Sequence, residues 1–191
     1  MYHIKDDQRA VRSAEAIYAA LVNLIEEKSF AAITVTEIVA QAEVARATFY
    51  RGFDVQEDVL RWRCDQLMDE IFSYIASFAR SQPRTASDAL LKPILRFFYL
   101  DSTFIELLIQ TERTDILQGA FQTRLERLGP KVVALLNVPE DYLDYWFALR
   151  AAALVSMLVQ WVKGGKRQAP DDLADGIAEL ARKMSQSNLL V

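Results

Sequence analysis

Cysteine occurs once in the 191 residues, at Cys64, and histidine once, at His3. A single cysteine excludes an internal disulfide, and its scarcity fits a reducing cytoplasm. With one His, one Cys and no phosphate-binding loop, no catalytic constellation, no metal site and no cofactor are expected. An excess of positive charge is missing as well. Lys and Arg number 22 against 26 Asp and Glu, for a net charge of −4 and a pI of about 5.1. No global charge therefore points to nucleic acid. The first residues, MYHIKDDQRAVRSAEA, have no apolar signal-peptide core. The most apolar run, WFALRAAALVSMLVQWV, is interrupted by Arg150 and Gln160 and falls short of a clean membrane span. These absences predict a soluble, cytoplasmic chain with no membrane partner. Period-2 alternation, internal repeats and low-complexity tracts are also absent, so strands are not expected.

What is present is helical periodicity and enough apolar residue, 52%, for a real core. Ile17, Leu21, Leu24 and Ile25 recur at i, i+4, i+7 and i+8, and Ser13 stands where an N-cap would open that helix. Thr34 and Glu37 have capping-box spacing at the start of a second helix. A break at Ala42-Glu43 precedes a third, over about 45–51. A long helix is predicted from about 55 to 80, ended by Ser81-Gln82-Pro83. Further helices are predicted over 86–100, with a kink at Pro93, then over 103–111 and 114–128. Leu128-Gly129-Pro130 reads as a stop and restart. Pro139 begins a long helix to about 163, Gly164-Gly165 ends it, and the last helix covers 171–184. The expected fold is all-α: three short helices over 1–54, joined by a long helix to a helical bundle within 55–191.

Helix, tight turn, helix is the geometry that places a second helix in the DNA major groove. Ile38, Val39, Val44 and Phe49 supply its packing. With Phe49 turned inward, the 3.6-residue period directs Arg46, Ala47, Tyr50 and Arg51 elsewhere, with Thr48 at the margin. Arginine can take a phosphate or both acceptors of guanine, and Thr and Tyr hydroxyls suit phosphate oxygens. The candidate DNA-contacting set is Thr34, Thr36, Arg46, Ala47, Thr48, Tyr50 and Arg51.

The stretch ITVTEIVAQAEVARATFYRGF, followed by EDVL, resembles the N-terminal module of TetR-family transcriptional regulators. Thr34, Val35, Ile38, Ala42, Val44, Thr48, Phe49, Tyr50, Phe53 and Leu60 fall on the family's pattern. Further on, WVKGGKRQAPDDLADGIAEL resembles the ending of a TetR branch related to regulators of dihydroxyacetone kinase. The resemblance implies a homodimer on a palindromic operator, commonly a repressor, controlled by a small apolar effector or a partner protein. Four positions depart from the pattern. Glu43 replaces the turn glycine, Ala45 a capping serine, Gly52 a Tyr or His, and Gln56 a lysine. Residues 1–60 hold six basic and ten acidic side chains. A helical module that has lost DNA binding is therefore the alternative reading.

In the resembling family the effector cavity lies among the middle helices. Trp62, Phe72, Phe97, Phe104 and Trp146 are the candidate lining residues, and Arg96, Glu106, Gln110 and Arg150 the candidate polar anchors. Each also fits a plain core or surface role. Cys64 reads as a packing thiol, His3 as a tail residue, and Glu26-Glu27 and Glu57-Asp58 as solvated helix faces. The helix over 140–163 is apolar nearly all round. It is either a central core helix or, as the resemblance implies, a dimer seam formed with the last helix.

Overall fold

A computed structural model of the chain describes residues 1–4, 7–81, 90–127, 129 and 138–186. Among them are nine α-helices: α1 Gln8–Glu27, α2 Val35–Gln41, α3 Arg46–Gly52, α4 Gln56–Ser81, α5 Leu91–Leu100, α6 Thr103–Gln110, α7 Thr114–Arg127, α8 Leu143–Lys163 and α9 Pro170–Gln186. Short 3-10 turns at Phe30–Ala32 and Glu140–Tyr142 precede α2 and α8. No strand occurs among the described residues; one isolated bridge pairs Tyr2 with Phe53. The fold is all-α, as the periodicity requires. Lys5, the start of the helix expected over 86–100, and most of the Leu128-Gly129-Pro130 stop lie outside the described residues, as do Gln82 and Pro83.

Several boundaries differ from expectation, each for a local reason. Helix α1 opens at Gln8 because the Asp7 side chain accepts the Arg9 N–H at 3.1 Å. Ser13 lies inside that helix and donates its hydroxyl to the Arg9 carbonyl at 3.0 Å. The kink expected at Pro93 involves residues 86–89, which lie outside the described residues. Pro93 itself sits in the first turn of α5, where the missing N–H has no intrahelical acceptor to lose. The Thr34–Glu37 capping box is present in full.

The chain divides into two compact units, Met1–Leu67 with Leu107–Ala120, and Met68–Glu106 with Phe121 onward. The first unit buries Ile17, Leu21, Ile38, Phe49, Phe53 and Leu60 completely. Its polar contacts fix the turns between helices. Lys28 pairs with Glu37, and Gln56 Nε2 donates to the Phe30 carbonyl at 3.0 Å. Gln110 Nε2 donates to the Ile25 carbonyl at 3.1 Å. Glu57 and Asp58 are not a solvated pair. Asp58 is buried and accepts the N–H groups of Asp54 and Val55, while Glu57 lies 3.1 Å from Arg113. The Cys64 thiol is buried and pushed up to about 12 by loss of solvation, which makes it a packing group.

Hydrogen bonds from Lys28 and Thr34 hold the Glu37 carboxyl down at about 2, from its usual 4.5. A depressed carboxylate stabilises the fold above its unfolded pKa, and that contribution fades as pH falls through the folded value. An acid titration of the wild type and Glu37→Gln should therefore diverge above pH about 4.5 and converge toward pH about 2. Parallel curves over that range would show that the pair does no work.

The second unit buries Met68, Ile71, Leu95, Phe98, Phe121, Ala151 and Leu158. Within it α5 packs on α9, and the Arg96 guanidinium closes that contact on Asp171 at 2.7 Å through Nε. Asp171 stands in the first turn of α9, where a carboxylate also suits the helix dipole. Trp161 Nε1 donates to the Gln168 carbonyl at 3.1 Å and ties the α8–α9 turn. The W…PDDL stretch thus works as a helix stop, turn and start.

Helix α8 is not a central core helix. Its Phe147, Ala151, Val155 and Leu158 are buried, but Leu149 is 68% exposed and Tyr145 74% exposed. With the preceding turn, Glu140–Lys163 also reaches the length and mean hydropathy, 1.3, of a membrane-crossing helix. That exceeds what the interruptions at Arg150 and Gln160 predicted.

Candidate functional site

Helix α3 is seven residues long, and alone it would not be stable in water. It is held by α1 and α2, both of which pack on it. Phe49 anchors it, with ring centroids 5.5 Å from Tyr50 and 5.6 Å from Phe53, and Phe53 meets Trp62 edge-on at 6.2 Å. The turn before it has the hydrogen bonds of a Schellman motif, with Val44 N–H on the Val39 carbonyl at 3.1 Å. That geometry needs a left-handed residue, and Glu43 supplies it at φ 53°. Ala45 then occupies the N-cap with no side-chain acceptor for the first N–H groups.

Two repairs follow. Glu43→Gly should stabilise the first unit by about 0.5–1 kcal/mol by removing the left-handed penalty. Ala45→Ser should add about 1 kcal/mol by capping α3. Both are read from denaturant midpoints, and a loss of stability in either variant would contradict the geometry of the turn.

Of the seven candidate DNA-contacting residues, Thr34, Thr36, Arg46, Ala47, Tyr50 and Arg51 are exposed and Thr48 is half-buried. Arg46 lies over the Tyr50 ring, 5.6 Å from its centroid, with Nη2 3.4 Å from the Tyr50 hydroxyl. Thr34 spends its hydroxyl on the capping box. Arg9, Arg12, Arg46 and Arg51 make no ion pair with the described residues.

Two departures from the family pattern have structural tenants. At Gly52 an added Cβ would come 2.5 Å from Ile4 Cδ1, so the first residues of the chain occupy the space of a side chain there. His3 N–H donates to the Gly52 carbonyl at 2.7 Å, and the Tyr2 hydroxyl donates to Asp65. Gln56 is engaged with the Phe30 carbonyl. Nothing in the composition of the N-terminal segment signalled this docking.

The second unit contains a cavity of about 300 Å³. Phe72 and Trp146 line it, with Ile94, Phe121, Leu154 and Met157 forming much of the remaining apolar wall. Trp62 belongs to the first unit, in contact with Phe53. Phe97 packs between Tyr74 and Phe98, and Phe104 is buried, and neither lines this cavity. Among the polar anchors only Arg150 reaches the wall. Arg96 is engaged with Asp171, Glu106 accepts from Ser102 at 2.6 Å, and Gln110 holds Ile25. Aromatic content was a poor guide here. The stripe Trp146, Arg150, Ala153, Leu154 and Met157, at i, i+4, i+7, i+8 and i+11, carried the better signal.

A buried-core triplet of helices presenting an exposed third helix defines a helix-turn-helix protein. The family model for "Bacterial regulatory proteins, tetR family" matches residues 17–61, and that for "Transcriptional regulator C-terminal region" matches 86–183. The chain belongs to the TetR family of transcriptional regulators. It is similar to the HTH-type transcriptional regulator YxbF of Bacillus subtilis (strain 168), at 31% identity over 70 residues, which are 36% of this chain and 18% of that relative. The fold matches that of Lin0861 from Listeria innocua, with a TM-score of 0.71 at 18% identity over 95% of this chain and 96% of the other. It also matches a TetR transcriptional regulator from Streptococcus agalactiae 2603V, with a TM-score of 0.58 at 21% identity over 88% and 93%.

Proposed function

We propose that the chain is a cytoplasmic, homodimeric repressor that binds a palindromic operator through α3 and releases it when an effector enters the second unit. The observation that carries this reading is the two-sided character of α3. Phe49 is sealed in the core, while Arg46, Ala47, Tyr50 and Arg51 form an exposed face with two guanidinium groups that make no ion pair with the described residues. Thr36 and Thr48 are the other hydroxyls of the candidate set, while Thr34, whose hydroxyl is engaged in the capping box, would contribute by opening α2. The DNA-reading part is assigned to 1–54 and the effector-binding and dimerising part to 55–191. Selection of bound duplexes from a random pool tests the reading. An enriched two-fold symmetric sequence, with half-sites about one helical turn apart, is expected. A pool that stays random would favour a module that has lost DNA binding.

The exposed stripe on α8 supports the dimer. Tyr142, Tyr145 and Leu149 are 63%, 74% and 68% exposed, Ala153 and Ser156 continue the same face, and Leu180 of α9 is 52% exposed. A continuous apolar stripe of this kind calls for cover, and a second copy supplies it with two-fold symmetry. Leu149→Arg should give a folded monomer in sedimentation, because Leu149 costs little to change within one subunit and an unpaired charge would be buried between two. An undisturbed dimer would remove α8 from the seam. The W…PDDL ending supports placing the chain near the dihydroxyacetone kinase regulators, where a partner protein would be the signal.

An effector acts only through different affinities for the DNA-competent and incompetent states. The apolar cavity with Phe72 and Trp146 in its wall supports a small, mostly apolar molecule in that role.

A further inference from the structure

The lining of the second unit's cavity is apolar at every described position except Arg150. The Arg150 guanidinium lies over the Trp146 ring, 5.6 Å from its centroid. It has no ion-pair or hydrogen-bond partner among the described residues. A guanidinium over the indole face and without such a partner has its N–H groups free to donate, and those are the groups that grip a planar carboxylate. The residue is exposed in one subunit, so an anion held there keeps part of its hydration and avoids the cost of burying an ion pair. Behind it, Ile94, Phe121, Leu154 and Met157 offer only apolar surface.

Resting on the effector reading above, we propose that the cavity takes an amphiphilic monocarboxylate, its apolar body inside and its carboxylate on Arg150. A neutral apolar compound fills the cavity without using the cation. A cationic one meets a like charge at the mouth. The chemistry therefore selects one charge type, although a volume of about 300 Å³ alone would accept all three.

Octanoate, octan-1-ol and octylammonium share one chain and differ in the head. Calorimetric titration of the full chain with each, in parallel with operator binding, tests the assignment. Octanoate should bind about tenfold more tightly than the alcohol, the worth of one charge-assisted contact, and octylammonium most weakly. Arg150→Gln should bring octanoate down to the level of the alcohol, whereas Arg150→Lys should keep part of the difference. Met157→Trp, which fills the cavity, should weaken octanoate and octan-1-ol alike.

Equal affinities in the wild type, a preference that survives Arg150→Gln, or octanoate binding undiminished in Met157→Trp would each overturn the proposal. So would failure of all three probes to bind. Sedimentation of Arg150→Gln supplies a check, since dissociation of an otherwise intact assembly would make Arg150 an interface residue and refute the assignment. If the alcohol binds equally well and also releases DNA, the effector reading stands and the anion site falls. If octanoate binds through Arg150 without changing operator affinity, the anion site stands and the effector reading falls.

Discussion

Replacing Phe49 by alanine is expected to cost the first unit about 3–5 kcal/mol, the usual range for a buried Phe→Ala change. The side chain is fully buried and contacts the rings of Tyr50 and Phe53, the second of which meets Trp62. A loss of that size is a large part of the roughly 5–15 kcal/mol that holds an ordinary domain folded. It falls on a helix of seven residues that has no side-chain N-cap and follows a left-handed glutamate. With so little intrinsic stability, α3 depends on its one deep anchor. Phe49→Ala should therefore abolish DNA binding by melting the helix. Tyr50→Ala, at a residue 46% exposed, should leave the denaturation midpoint nearly unchanged. A Phe49→Ala variant that loses less than about 1 kcal/mol would mean that the site collapses around the gap.

The dependence on Phe49 was legible from the sequence because it follows from periodicity. A residue at the inward position of a short amphipathic helix, bracketed by Ile38 and Val44, has no other place to go. The capping box was legible for the same local reason, since Thr34 and Glu37 need only each other and the backbone between them. Glu43 was legible as the replacement of the family's turn glycine, and it does adopt the left-handed region.

Contacts between segments distant in sequence were not legible. The pairing of His3 with Gly52 spans most of the first three helices, and Gly52 alone gave no hint that Ile4 fills its missing side chain. Asp58 looked like half of a solvated acid pair, yet it is buried and accepts from the Met1 amino group, 57 residues away, at 2.9 Å as well as from the local Asp54 and Val55 N–H groups. Arg96 looked like a ligand anchor, and its partner Asp171 lies on the last helix. Helix α8 shows the other kind of failure. Its composition is apolar on every side, so periodicity could not say which face is covered within the subunit and which is exposed. For the cavity, large aromatic residues drew attention, although Leu154, Met157 and Ile94 shape as much of its wall.

Replacing both Arg46 and Arg51 by alanine should leave stability nearly unchanged and remove most operator binding. Neither side chain has an ion pair to lose, and exposed changes of this kind usually stay within about 0.5 kcal/mol. The single variants then separate two roles. If Arg46 reads guanine, its loss should erase the preference at one operator position, worth about 1–3 kcal/mol. If it holds phosphate, affinity should fall alike for every sequence, and the salt slope should flatten by about one unit. The charge balance limits how many such contacts exist. Residues 1–60 carry ten acids against six bases, and of the bases Lys28 is taken by Glu37. Of the described bases, Arg9, Arg12, Arg46 and Arg51 make no ion pair in one subunit, and Gln56 stands where the family has a lysine. Non-specific binding should accordingly be weak and the salt slope well short of about −10, the value for a heavily phosphate-bound repressor. A slope that steep would show that cations beyond these arginines reach the duplex. Unchanged operator binding in the double variant would take α3 out of the interface and leave it as a packing helix.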